Sequence, residues 1–395
     1  MHRREFVRLG AALTAVAAHS VATPPAWARR LHRAGPSPYG DLLPANEVGL
    51  MLPKGFHGRE VARSGQAVGS TSYNWHIFPD GGATYSVHDG WIYVSNSEVP
   101  TAGGVGAIRF DGRGEITDAY PICTGTSTNC AGGATPWQTW LTCEEVDDGH
   151  VWECDPTGRR PAERRPALGT FKHEAVAVDT SDGRLYLTED VGDGRLYRFT
   201  PRRWGDLSEG LLEVAVVSNK GRVSWAEVPE PNPDVAGGAT ETRHQVPEST
   251  AFIGGEGIAY AQGHVYVATK GDDTIWDYDA RGKTLRPHYR ASSDPGRQLS
   301  GVDNIAISRS GDLVVAEDGG NMELVLLTPE GFAAPLVRVT GQTGSELAGP
   351  AFDPSGTRLY FSSQRAGRGG ITYEVSGPFR AYVTLRRQLA RRRSA

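Results

Sequence analysis

Acidic residues recur at matching places in several segments of this chain, and each segment follows the same β-strand pattern. The first strands of these segments open with Glu174, Glu256 and the pair Asp303 and Asn304. The second strands end at Glu189, Thr269, Glu317 and Ser363, followed by Asp190, Lys270, Asp318 and Gln364. Strand interiors disfavour glutamate, and carboxylates that converge repel one another unless cations hold them. We therefore expect Glu174, Glu189, Glu256 and Glu317 to contact a metal such as calcium or magnesium, which prefer oxygen ligands.

A second candidate for chemistry is the stretch NCAGGATPWQTWLTCEE, from Asn129 to Glu145. A thiolate at Cys130 suits a softer metal such as iron or zinc, and the following strand brings Glu144 and Glu145 back towards the same place. Cysteines also stand at 123, 143 and 154. In an exported protein they favour disulfides, which four cysteines can form in three pairings. Both interpretations of the cysteines stay open at this point.

The elements that position these residues are repeated β-strand units of about 45 residues. The segments beginning at His173, Glu256, Val302 and Gly349 each contain alternating apolar strands separated by glycine turns, and an earlier copy begins at Ala83. Repeats of this kind predict an all-β fold, a β-propeller with six blades, or five as the alternative. We expect one propeller domain over residues 40–380. Matching positions of different blades meet at one end of the central channel, so the acids would converge there.

The two ends of the chain differ from the repeats. Residues 1–28 combine a charged start containing Arg3 and Arg4, an apolar middle and an Ala-x-Ala site, which predicts a twin-arginine signal peptide. We expect export by the twin-arginine machinery to the periplasm or the extracellular space, with no stable membrane anchor after processing. Residues 381–395 form a basic tail. A net charge of -5 gives no reason to expect a nucleic-acid partner, and we expect a monomer.

The stretch around Cys130 strongly resembles the signature of the PhoX-type alkaline phosphatases. The resemblance continues in KHEAVAVD, LYLTED, EGIAY, DNIAISRSGDLVVAEDG and LAGPAFDPSGTRLYFSSQ, and it covers most of the chain after the signal. It implies an exported six-bladed propeller that hydrolyses small phosphate monoesters with a cluster of Fe3+ and Ca2+. By this resemblance Cys130 is the thiolate ligand of iron. The remaining implied ligands are Glu144, Glu145, Glu174, Glu189 and Glu256, with Asp303, Glu317 and Asp318 as further candidates.

One position departs from the family pattern. Members of the family typically carry an arginine two residues before the glutamate of the EG motif, whereas this chain has Gly254 there. Lys270 and Arg365, at matching positions of their blades, are candidates for the missing positive charge. We therefore assign catalytic roles to Lys270 and Arg365, together with Glu144 and Glu189.

Two other classes of function fit the repeats. A calcium-dependent lactonase or phosphotriesterase would surround one calcium with acids and with asparagines such as Asn96, Asn129 and Asn304, and would not need Cys130. A non-catalytic binding propeller would keep the blades and bind no iron. The metal content of the exported protein distinguishes these classes.

Overall fold

The structure is a computed structural model that describes residues 31–366 and 369–381. The predicted signal peptide, residues 1–28, lies outside the described residues, as does the predicted basic tail beyond residue 381. Among the described residues, no helix has both the length and the apolar character needed to cross a membrane.

The described chain is built almost entirely of β-strands, which form six separate sheets. The segment before the first repeat contributes β1 (Arg33–Ala34), β2 (Leu50–Met51) and β3 (His57–Arg63). The first blade contains β4 (Pro79–Val87), β5 (Gly90–Ser97), β6 (Gly103–Asp111) and β7 (Ile116–Thr126). The second contains β8 (Asn129–Ala134), β9 (Trp140–Glu144), β10 (Val151–Cys154) and β11 (Glu163–Arg164). The third contains β12 (His173–Asp179), β13 (Arg184–Glu189), β14 (Leu196–Arg203), β15 (Asp206–Val217) and β16 (Val223–Glu227).

The last three blades follow the same antiparallel order. The fourth contains β17 (Gly255–Ala261), β18 (His264–Thr269), β19 (Thr274–Asp279) and β20 (Thr284–Arg290). The fifth contains β21 (Val302–Ile307), β22 (Leu313–Glu317), β23 (Glu323–Leu327) and β24 (Phe332–Val339). The sixth contains β25 (Leu347–Phe352), β26 (Arg358–Ser363) and β27 (Ile371–Ser376). Short 3-10 turns lie at Pro166–Leu168, Thr242–His244, Lys270–Asp272 and Ala291–Ser293. The fold is therefore the predicted six-bladed propeller.

The ring of blades is closed by strands from both ends of the chain. β3, from the N-terminal segment, pairs antiparallel with β27 and completes the sixth blade. β1 and β2 both pair with β24, so the N-terminal segment also covers the edge of the fifth blade. Such pairing removes exposed sheet edges and ties the first blade to the last.

Apolar side chains fill the spaces between neighbouring blades. Six clusters of buried apolar residues occur, and each joins one blade to the next. Tyr93 and Tyr360, for example, stack across the junction of the first and sixth blades at 4.9 Å between ring centroids. This packing fixes the innermost strand of every blade around the channel.

A β-bulge recurs near the start of the innermost strands. In five blades the two residues after the first pair of the inner strand oppose a single residue of the second strand. A bulge bends the strand and re-aims its side chains. A Cβ atom at Gly257 would lie 2.6 Å from the Cα atom of Asn304 in the next blade, so glycine is required there. The first residues of these five bulges are Asp80, Cys130, Glu174, Glu256 and Asp303.

Candidate metal centre

Two rings of side chains surround one end of the channel. The inner ring follows the start of each inner strand and contains Asp80, Cys130, Glu174, Glu256, Asp303 and Ala348. The outer ring follows the end of each second strand and contains Glu98, Glu145, Asp190, Lys270, Asp318 and Gln364. In every blade, the backbone N–H of the outer-ring residue donates to the carbonyl of the residue two places before the inner ring, at 2.7–3.2 Å. We call these six residues the entry positions: Phe78, Thr128, Lys172, Gly254, Gly301 and Glu346.

Three groups of ligand atoms lie close enough together to share a metal ion. They are Glu98, Cys130 and Glu145; Asp80, Glu98 and Glu346; and Glu174, Glu256 and Asp303, and within each group the atoms lie within 4.8 Å of one another. The predicted ligands Cys130, Glu145, Glu174, Glu256 and Asp303 are thus brought together. Glu98 belongs to two groups, which makes these two sites neighbours. The third group lies close to them, because Glu145 and Asp80 both contribute to the raised pKa of Glu174.

The deepest of these groups contains a carboxylate, that of Glu174, which the described residues do not satisfy. Neither oxygen of Glu174 has a hydrogen-bond partner among the described residues, although the side chain is fully buried. Burial, together with the nearby Glu256 and Glu145, raises the pKa of Glu174 well above its usual value. Burial likewise raises the pKa of Glu256 to about 8 and that of Asp303 well above its usual range. A buried charge of this kind is costly unless a cation holds it.

The thiol of Cys130 lies in the same environment. Its Sγ atom is 3.8 Å from Oδ2 of Asp80, and burial together with that carboxylate raises the pKa of the thiol well above its usual value. A thiolate forms in such surroundings only when a metal compensates its charge. A thiol beside Glu98 and Glu145 fits a more strongly charged or softer ion than the all-oxygen groups do.

Three basic side chains lie among the outer-ring acids. Nζ of Lys270 is 2.6 Å from Oε1 of Glu256 and 3.6 Å from Oδ2 of Asp318. Burial opposes the charge on Lys270, but Glu256 and Asp190 outweigh it and raise the pKa of the ammonium. Arg365 pairs with Glu346 and lies 3.4 Å from Glu98, on the other side of the ring. The two basic residues predicted from the sequence, Lys270 and Arg365, are therefore at the site, and each pairs with a candidate metal ligand.

The third basic side chain is Lys172, which occupies an entry position. Its Nζ atom lies 2.8 Å from Oε1 of Glu145 and 3.8 Å from Oδ2 of Asp190.

Other predicted site residues are placed away from the cluster. Glu144 accepts hydrogen bonds from the backbone of Ser127 and His150 and from the indole of Trp152. Equivalent glutamates serve the same purpose in other blades. Glu189 accepts from the backbone of Arg195, from Tyr197 and from the guanidinium of Arg243. Glu317 accepts from the backbone of Ser300 and Glu323. Each of these carboxylates lies inside its blade and holds two loops together.

Asp318, the remaining predicted ligand, is in the outer ring but belongs to none of the three groups of ligand atoms. It pairs with Lys270 instead.

The asparagines that a lactonase would use, Asn96, Asn129 and Asn304, form hydrogen bonds within the protein. The amide of Asn96 donates to the carbonyls of Cys130 and Ala131, and its oxygen accepts from Trp140 and Thr142. Asn129 bonds Thr126 and Thr142, while Asn304 bonds Asp303 and the backbone of Gly349.

The four cysteines are all free and buried in this structure, so it contains none of the three predicted disulfide pairings. Cys143 packs in the apolar cluster between the second and third blades. These placements leave Cys130 as the cysteine at the cluster.

Four residues of the site were not predicted: Asp80, Glu98, Glu346 and Lys172. Asp80 and Glu98 belong to the first blade, at the same positions as Glu174 and Asp190 in the third. Extending the repeat alignment to Tyr93 would have identified Glu98, which stands five residues later, as Asp190 does after Leu185. Glu346 and Lys172 precede their inner strands, and only the recurring backbone hydrogen bond shows that they are equivalent.

Comparison with known proteins agrees with this architecture. The family model described as alkaline phosphatase PhoX matches residues 100–151 and 146–367, which is more than half of the chain. No curated protein is significantly similar in sequence.

Two solved structures show the same fold. The structure of Pseudomonas fluorescens PhoX in complex with vanadate, a transition-state analogue, is 18% identical with a TM-score of 0.69. The alignment covers 90% of this chain and 99% of that one. The gluconolactonase XC5397 from Xanthomonas campestris is 14% identical with a TM-score of 0.53, and the alignment covers 87% of this chain and 99% of that one.

Proposed function

Because the chain belongs to the PhoX family of alkaline phosphatases, we propose that it hydrolyses phosphoric monoesters at a cluster of iron and calcium. The cluster would occupy the end of the channel that the inner and outer rings surround. The observation that carries this proposal is the fully buried carboxylate of Glu174, whose two oxygens have no partner among the described residues. A protein gains nothing from such a group unless a bound cation uses it.

The donor atoms fit this cluster. Carboxylate oxygens are the ligands that calcium prefers, and the groups formed by Glu174, Glu256 and Asp303 and by Asp80, Glu98 and Glu346 offer only these. The remaining group adds the sulfur of Cys130, which fits iron. Cations held here supply Lewis-acid chemistry, since they polarise phosphoryl oxygens and make water a stronger nucleophile at neutral pH.

The protein's own residues bind and orient the ester. Lys270 and Arg365 lie on the rim, with side chains 39% and 43% exposed, and are able to contact a phosphate that enters from solvent. Their positive charges would offset the charge that gathers on the phosphoryl group. Gly254 has φ +61°, and a Cβ atom there would lie 3.3 Å from Oδ1 of Asp190. A longer side chain at 254 would be strained, so we assign phosphate binding to the side chains of Lys270 and Arg365.

We also propose that the protein is exported in its folded state and acts as a monomer. Residues 1–28 would direct the folded chain through the twin-arginine machinery, after which the mature protein acts as a monomer in the periplasm or outside the cell. Cytoplasmic folding before export would allow the cluster to be loaded where metal supply is controlled.

The experiment that tests this function compares substrates on metal-loaded protein purified after export. We expect hydrolysis of p-nitrophenyl phosphate that is lost on chelation, with little hydrolysis of a gluconolactone. Lys270→Ala and Arg365→Ala should each raise KM for the monoester. Lactone hydrolysis that requires calcium alone, without monoester turnover, would contradict the proposal and favour the lactonase class.

A further inference from the structure

We propose that Lys172 forms, with Lys270, the binding site for the phosphate oxygens of the substrate. This inference rests on the proposed function and names a positioning residue within the same site. Among the six described entry positions, Lys172 is the one with a basic side chain, and among the six outer-ring positions Lys270 is the one with a basic side chain. Although Lys172 is an entry position beside the third blade and Lys270 is an outer-ring residue of the fourth, the two lysines meet at one place.

Asp190 marks that place. Its Oδ2 atom lies 3.8 Å from Nζ of Lys172 and 3.9 Å from Nζ of Lys270, so one carboxylate lies between two ammonium groups. The other contacts of the two lysines reach opposite parts of the cluster, Glu145 for Lys172 and Glu256 for Lys270. An anion between the lysines would therefore lie across the middle of the candidate metal groups.

Metal binding would change the charge around the two lysines and so allow them to bind the substrate. Without metal, each ammonium is neutralised by carboxylates that are candidate ligands. When cations hold Glu145 and Glu256, these carboxylates no longer neutralise the lysines. Asp190 is then shared by two ammonium groups, which leaves positive charge that is able to bind an oxyanion. The Lys172 side chain is 28% exposed and that of Lys270 is 39% exposed, so both can reach an anion arriving from solvent while remaining partly desolvated.

Arg365 is less suited to this role. Its guanidinium is held by Glu346 and lies 3.4 Å from Glu98, at the far side of the ring from Asp190. It also lies over the ring of Phe78, at 6.0 Å from the centroid. Arg365 is thus held by Glu346, Glu98 and Phe78, whereas the two lysines have Asp190 as a shared partner.

The test measures the affinity of the metal-loaded protein for inorganic phosphate by calorimetry. Lys172→Met should weaken phosphate binding at least about tenfold, as expected for the loss of one charge-assisted hydrogen bond, while metal content stays unchanged. Lys172→Arg, which keeps the charge, should restore most of the affinity. Lys220→Met, which removes an exposed lysine distant in sequence from the rings, is the matched control and should bind phosphate as the wild type does.

A second readout separates positioning from a general loss of structure. Lys172→Met should lower kcat/KM for a dianionic monoester more than for a monoanionic methyl diester. The reason is that the missing ammonium group would bind the second negative charge, which only the monoester carries. If the variant binds phosphate as tightly as the wild type, the role of Lys172 is refuted while the phosphatase function stands. If the wild type itself binds no phosphate and hydrolyses no monoester, both proposals fail.

Discussion

Removing the metals should make the stability of this protein fall as pH rises, because the cluster then consists of buried carboxyl groups with raised pKa values. Burial is the main cause, and it raises the pKa from 4.5 to about 7 for Glu98 and Glu346 and to about 8 for Glu256. These groups stay protonated in the folded protein while they ionise in the unfolded chain. The contribution of these groups to stability is therefore fully present below about pH 4.5 and is lost as the pH approaches 8.

The size of this effect follows from Glu256, which is 2% exposed. One pKa unit corresponds to about 1.4 kcal/mol, so between pH 5.5 and 8 Glu256 alone should remove roughly 3 kcal/mol from the free energy of unfolding. The raised pKa of Lys270 does not offset this loss, because its ammonium stays charged throughout the window. Other carboxyl groups of the cluster add to the loss in the same direction.

The assay is urea unfolding of the chelator-treated protein at several pH values between 5.5 and 8.5. Glu174→Gln should raise the stability of the metal-free protein at pH 8 by about 1–3 kcal/mol, since it removes a buried carboxyl group that has no partner among the described residues and that folding must keep protonated at this pH. The same variant should lower the stability of the metal-loaded protein, because a ligand is lost. Glu47→Gln, at an exposed position, is the control and should change neither value.

Two results would refute this reasoning. One is a metal-free wild type whose stability is constant or increases between pH 5.5 and 8. The other is Glu174→Gln lowering stability to the same extent with and without metal, which would show that the carboxylate is satisfied by the protein itself.

Two further predictions concern residues outside the two rings. Glu189→Gln should lower the free energy of unfolding by about 1–3 kcal/mol, because the buried Glu189 accepts hydrogen bonds from Arg195, Tyr197 and Arg243, while iron and calcium content stay at wild-type levels. Loss of metal in a folded Glu189→Gln protein would instead return this residue to the cluster. Changing Arg3 and Arg4 together to Lys should keep the precursor inside the cell, which fractionation and immunoblotting would show, and normal secretion would argue against twin-arginine export.

The sequence predicted the architecture well because the propeller is a repeated fold. Strands of similar pattern recur along the chain, and a strand that recurs must occupy the same place in each blade. The positions of Glu174, Glu256 and Asp303 followed from this repetition, since matching positions converge around one channel.

The choice between neighbouring acids was harder to predict. Glu144 and Glu145 are adjacent in the chain, but the first lies inside the blade and the second lies in the outer ring. The same division separates Glu189 from Asp190. A strand's alternation shows that adjacent side chains point to opposite sides, but it does not show which side faces the channel when a bulge follows.

The first blade and the entry positions show a second limit. Asp80 precedes a pair of glycines and reads as a turn, and Lys172 and Glu346 lie in loops. Loops carry no periodic signal. The equivalence of Lys172 and Glu346 is shown by a backbone hydrogen bond that recurs in every blade. Only the folded structure shows that bond.

The central claim is that Cys130 and the surrounding carboxylates hold an iron-containing cluster. The most direct test is the metal content and visible spectrum of Cys130→Ser, purified after export in parallel with wild type and with Cys143→Ser. Cys143 is a buried free cysteine in the core between blades, so its variant controls for the loss of a thiol. We predict that wild type and Cys143→Ser contain iron and absorb visible light through thiolate-to-iron charge transfer, whereas Cys130→Ser loses iron, colour and phosphatase activity. A folded Cys130→Ser protein that keeps its metals and full activity would contradict the account.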